Sequence, residues 1–101
     1  MFRQAGDGWR LPKVLYAIEA TSAAMAAGHF DAARDCISRA NDLVFKTKFP
    51  RTIHIKLMTT YRFMGFEASE HGDSDLAGRC NKMGDLLQAR FNAGDYYQDP
   101  D

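Results

Sequence analysis

The chain reads as an all-α protein of four helices, arranged as two antiparallel helical hairpins. Three observations predict this. Apolar residues recur at three- and four-residue spacing through most of the 101 residues, the signature of helices that bury one face. No stretch shows sustained period-two alternation with β-branched residues, so strands are not expected. And the stretch "AAGHFDAARDC" at 26–36 is echoed 44 residues later by "EHGDSDLAGRC" at 70–80, with Gly28 matching Gly72, Asp31 matching Asp75, Ala33 matching Ala77 and Cys36 matching Cys80.

Each helix has its own local signals. Pro12 suits a first helical turn, where its missing N–H costs nothing. Leu11, Val14, Leu15, Ile18, Ser22 and Met25 follow at helical spacing, and Gly28 supplies the left-handed turn. Asp31 is placed to begin the second helix beside its free N–H groups. Ala33, Cys36, Ile37, Ala40, Leu43 and Val44 form that helix's apolar face, and Pro50 closes it. Thr52 is positioned to cap the third helix, whose main stripe is Ile53, Leu57, Tyr61, Met64 and Ala68, ending at Gly72. Asp73 or Ser74 caps the fourth, lined by Leu76, Ala77, Cys80, Met83, Leu87 and Phe91. Gly78 and Gly84 fall inside it at about 1 kcal/mol each relative to Ala, which points to a close helix approach at Gly84. Residues 1–101 are expected to form a single domain, with a loose segment at 1–9 and an acidic tail at 93–101.

Composition narrows the function classes. Thirteen basic and thirteen acidic residues cancel, so the chain has no overall basic signature for nucleic acid or an anionic membrane. The charges are unevenly placed: residues 46–66 hold five Lys and Arg and no acid, whereas 67–101 hold eight acids against three bases. Arg3, Asp7, Arg10 and Lys13 break up any apolar leader, and the alanine run at 23–27 is far too short to cross a bilayer. Two cysteines at matched helical positions do not make a disulfide framework. A reducing, cytoplasmic setting is the expectation.

Little in the sequence suggests catalysis. His29, His54 and His71 are not spaced for zinc with Cys36 and Cys80. Neither thiol has a local histidine base. The carboxylate pairs Asp73/Asp75 and Glu67/Glu70 fall at a turn and on a polar face, where they match the helix dipole and solvate the surface. No phosphate-cradling glycine loop is present. An enzyme is not expected, and neither a metal nor a cofactor.

Two surfaces stand out instead. The third helix carries a second apolar set, Ile55, Phe63 and Phe66, beside Lys56 and Arg62. That is more apolar circumference than one core contact needs, and it fits either a groove for a partner's amphipathic helix or a contact between two copies of the chain. The alternative is that this helix is simply the most buried one. The segment "FKTKFPRTIHIK" at 45–56 interleaves Lys46, Lys48, Arg51 and Lys56 with Phe45, Phe49 and His54. It fits phosphate holding or base stacking, or a link whose phenylalanines enter the core; the neutral total charge favours the latter.

Tyr61, Met64, Gly65 and Ala68 follow the W-x2-L-G-x2-Y spacing of the tetratricopeptide family, with Met for Leu and Ala for Tyr. Gly72, Ala77 and Gly84 stand at that family's turn and small-residue positions. Gly28, Phe30, Ala33, Ala40 and Leu43 repeat the second-helix pattern, while Ala17, Ala20, Thr21 and Ala24 occupy the first-helix positions with little match. The period departs from the family, at 44 residues against 34, with the additional residues around 45–54. The resemblance implies either a pair of tetratricopeptide-like hairpins or, given the insertion, a closed four-helix bundle. Leu15, Tyr16, Gly28, His29 and Tyr61 are also similar in order to flagellin-export chaperones. Both resemblances imply holding a peptide or protein surface. The expected function is therefore a non-enzymatic adaptor or chaperone that binds another protein. The alternatives are a small regulatory protein using the basic segment on nucleic acid or phosphate groups, and an inhibitor of a host protein of the kind phages and plasmids carry.

Overall fold

A computed structural model describes residues 10–99; the segment expected to be loose, 1–9, and the last two residues lie outside the described part. Four helices follow in order: α1 (Arg10–Ala26), α2 (Phe30–Phe45), α3 (Arg51–Glu70) and α4 (Ser74–Asn92). The fold is all-α, and α1 packs on α2 and α3 on α4 as two hairpins. The chain divides into two compact units between Thr47 and Lys48.

The sequence repeat is a structural repeat down to its hydrogen bonds. Gly28 and Gly72 take φ of +80° and +79°, a left-handed conformation that costs glycine nothing. Their N–H groups donate to the Met25 and Ser69 carbonyls, both at 3.0 Å. The next N–H groups, of His29 and Asp73, reach back to Ala24 at 2.8 Å and Ala68 at 2.9 Å. Every one of these pairs is related by the 44-residue step. The two turns differ at the cap. Asp73 accepts a hydrogen bond from the Leu76 N–H at 3.0 Å, whereas His29 makes no side-chain cap. Asp31, expected to begin α2, lies within its first turn and pairs with Arg34 instead.

In the first unit the buried face is Val14, Ile18, Thr21 and Met25 of α1 with Ala33, Ile37, Ala40 and Val44 of α2. Thr21 enters the stripe in place of the expected Ser22 because it is in phase with Val14, Ile18 and Met25, and its buried hydroxyl donates to the Ala17 carbonyl at 2.8 Å. Leu15 is exposed, and Cys36 and Leu43 are half-buried rather than core residues. α2 stops at Phe45, where the Thr47 hydroxyl donates to the Leu43 carbonyl at 2.6 Å. Pro50 therefore does not close α2; it is the N-cap residue of α3.

In the second unit Leu57, Tyr61, Met64 and Ala68 of α3 are buried, as are Leu76, Ala77, Cys80, Met83 and Leu87 of α4. Gly65 marks a tight point, since a Cβ there would run into the Asn81 carboxamide. At Gly84 the close neighbour is not the α3 backbone but the Arg62 guanidinium, 3.2 Å from where a Cβ would stand. Gly78 faces open space.

Candidate functional site: the outer face of α3 and the strap at its start

α3 buries His54, Leu57, Tyr61, Met64, Gly65 and Ala68. At about 100° per residue, Ile55, Phe63 and Phe66 fall on the opposite side of the helix. Phe63 and Phe66 are each 62% exposed, and Ile55 is exposed at 36%. α3 presents these two phenylalanine rings outward. This face runs roughly 16 Å along the helix from Ile55 to Phe66. Its two expected cations differ. Lys56 is exposed, with no ion pair among the described residues. Arg62 is already engaged: its Nη1 lies 2.9 Å from the Asp85 carboxylate while the guanidinium lies over Gly84.

The basic residues at 46–51 are committed within their own units. In the first unit Lys46 Nζ pairs with Asp42 at 3.2 Å. In the second, Lys48 Nζ lies 3.9 Å from the Asp95 carboxylate and 4.8 Å from the centre of the Tyr97 ring. The Arg51 guanidinium lies 5.4 Å from the Phe91 ring and 6.0 Å from the Tyr96 ring. Phe49 is buried, but Phe45 is exposed, so only one of the two phenylalanines enters a core.

Asp95, Tyr96 and Tyr97 belong to a segment that the sequence suggested was only an acidic tail. After α4 the chain turns at Gly94, φ +74°, and residues 95–99 return to the start of α3. The Tyr97 N–H donates to the Phe49 carbonyl and the Arg51 N–H to the Tyr97 carbonyl, both at 2.8 Å, in a single parallel bridge between Pro50 and Tyr97. Asp99 then caps α3. It accepts the Thr52 N–H at 2.9 Å and the Thr52 hydroxyl at 2.6 Å. Thr52 is therefore not the cap of α3 but the residue that receives one. Pro50, at the N-cap position, offers no side-chain oxygen, and a carboxylate from 47 residues downstream fills the role. The Thr52 hydroxyl and N–H hold the Asp99 carboxyl below its ordinary value, with the Arg51 charge acting in the same direction.

Behind this strap lies His54, 1% exposed. Its Nε2 is 2.8 Å from the Leu87 carbonyl, so that nitrogen carries the proton and donates. Nδ1 is buried without a hydrogen-bond partner. Phe49, Phe91 and Tyr96 surround the ring at centroid distances of 6.0–6.5 Å. His54 is thus a packed interior group and not part of a basic surface. Its spacing is a usable signal: His54 stands three residues before Leu57 and seven before Tyr61, on the buried stripe of α3. The missed residues, Tyr96, Tyr97 and Asp99, left one signal: a helix start at Pro50 with no cap of its own.

Cys80 is fully buried, and burial, with the Asp73 charge adding to it, pushes its thiol up to about 11. Burial likewise raises the Tyr61 hydroxyl well above its ordinary value, with Cys80 contributing. Both groups are held in their neutral forms at physiological pH. Among the described residues no three His, Cys, Asp or Glu side chains converge as a metal site, and no helix is long and apolar enough to cross a membrane. No family model, curated protein or solved structure matches the chain.

Proposed function

We propose that this chain is a non-enzymatic protein-binding module, an adaptor or chaperone, that contacts its partner through the outer face of α3. The observation that carries the reading is the pair Phe63 and Phe66, each 62% exposed on the side of α3 opposite its buried stripe. Two adjacent rings left in water leave a substantial apolar area for a partner to cover. The complementary surface is an amphipathic helix laid along α3, with apolar residues at three- and four-residue spacing and an acid opposite Lys56. The helical-hairpin resemblance to tetratricopeptide proteins agrees with this class of role. Nucleic-acid binding draws less support, because Lys48 and Arg51 already face Asp95 and aromatic rings.

The test is the double variant Phe63→Ser/Phe66→Ser in the full chain. Both side chains are largely in solvent, so helicity by circular dichroism stays at the wild-type level. Specific partner capture by the immobilised protein is lost. Should the double variant retain the wild-type partner at wild-type affinity, the α3 face is not the contact surface.

A further inference from the structure

The strap at 95–99 is held the way a domain holds a peptide, and we propose that the groove beneath it is a second docking site. Its ligand is an extended, acidic, tyrosine-bearing peptide, and the chain's own C-terminal segment is its resident occupant. The site is independent of the outer face of α3. Three features support it. The backbone contacts are two bonds to the open edge at Phe49 and Arg51, which any extended peptide satisfies whatever its sequence. The side-chain contacts add a pattern: Asp95 and Tyr97 at Lys48, Tyr96 stacked on Phe91 at 5.2 Å, and Asp99 on the first turn of α3. The sequence the groove reads is Asp-Tyr-Tyr-x-Asp in parallel orientation.

The third feature is that the segment is built to come off. It starts at a glycine turn directly after α4. Tyr97, Gln98 and Asp99 are exposed, and only Tyr96 is packed against interior groups. A segment with so few buried apolar contacts opens far more often than the helices beneath it. In the open state the edge at Phe49 and Arg51, the Phe91 ring and the start of α3 are all free for an incoming peptide.

The test uses the full chain and a fluorescein-labelled peptide of residues 93–99, AGDYYQD, followed by anisotropy. The resident segment reduces the open fraction, and the apparent dissociation constant rises by that factor. Asp99→Ala loosens the segment and leaves Lys48, Phe49, Arg51 and Thr52 in place. The peptide therefore binds Asp99→Ala at least about fivefold more tightly than it binds wild type. Adding Lys48→Ala and Arg51→Ala to that variant abolishes the gain. Asp95→Ala, which loosens the same segment from its other end, gives the same tightening and guards against a folding defect in Asp99→Ala. The proposal is overturned if no protein binds the peptide, or if wild type and both loosened variants bind it equally. Equal binding of a scrambled peptide also overturns it. So does displacement of the labelled peptide by an oligothymidine more effectively than by the unlabelled peptide, which assigns the groove to nucleic acid.

Discussion

Replacing Gly78 by Ala should raise the stability of this protein by about 1 kcal/mol, the difference in helix propensity between the two residues. Gly78 lies in the interior of α4, and nothing stands within 4 Å of where a Cβ would go. The gain therefore arises wholly from the smaller conformational entropy of the unfolded chain, with no steric cost to set against it. For a small domain this corresponds to a rise in melting temperature of about 4–8 °C, measured by circular dichroism at 222 nm. The other two helical glycines provide internal controls with the same backbone gain. At Gly84 the new Cβ meets three atoms of the Arg62 guanidinium at 3.2–3.3 Å. Arg62 is flexible, and its ion pair with Asp85 is largely exposed; losing that pair costs up to about 1 kcal/mol, so the net change lies near zero. At Gly65 the Cβ collides with the Asn81 carboxamide and the gain disappears. Gly78→Ala is therefore expected to melt above both Gly84→Ala and Gly65→Ala. A Gly78→Ala protein that melts at or below wild type, or a Gly65→Ala protein that melts as high as Gly78→Ala, refutes the reasoning.

Four further outcomes follow from the same contacts. Gly28→Ala and Gly72→Ala should each cost about 1–2 kcal/mol in urea melts, by matching amounts, because the two turns share one geometry. Leu87→Ala, at a fully buried site between α3 and α4, should cost about 2–5 kcal/mol by the same assay. Asp99 is held below its ordinary pKa in the folded state, so its contribution is present above the unfolded carboxylate value and is lost as pH falls through the folded one. The stability difference between wild type and Asp99→Asn should accordingly be full at neutral pH and be lost on acidification, as pH falls below the ordinary carboxylate value and through the lower folded one. In native protein at pH 8, Ellman's reagent should titrate Cys36, which is half-buried, while Cys80, buried and with its thiol pushed up to about 11, reacts only on unfolding.

What was legible in the sequence is what a segment of chain decides locally. The helices, the glycine turns and most buried positions of α3 and α4 follow from spacing and from single residues such as Gly28, Gly72 and Asp73, whereas Ile53 and Phe91, expected on the buried stripes, are only half-buried. The exposed set Ile55, Phe63 and Phe66 was also readable, because a helix has one inward side and these positions fall outside it. The errors lie where two local signals compete. Asp31 and Thr52 are both good capping residues, yet each helix begins before them. Pro50 is a good helix terminator, but α2 ends at Phe45, and proline is equally suited to precede the next helix.

The pairings between distant residues were decided only by tertiary structure. Periodicity carries no information about which downstream carboxylate reaches Thr52, which carbonyl receives the His54 proton, or what lies over Gly84. Each depends on how α4 and the residues after it come back past α3. The basic link and the acidic C-terminal third looked like separate surface features in the sequence. In the fold, Lys48 meets Asp95, and Asp99 caps the helix that Arg51 begins. Part of the charge asymmetry is thereby used inside one hairpin. Sequence alone determined the two hairpins, because turns and helix faces are local. The closure of the second hairpin by its own C-terminal segment required the fold, because a helix start without a cap of its own does not say which residue, here one 47 positions away, supplies it.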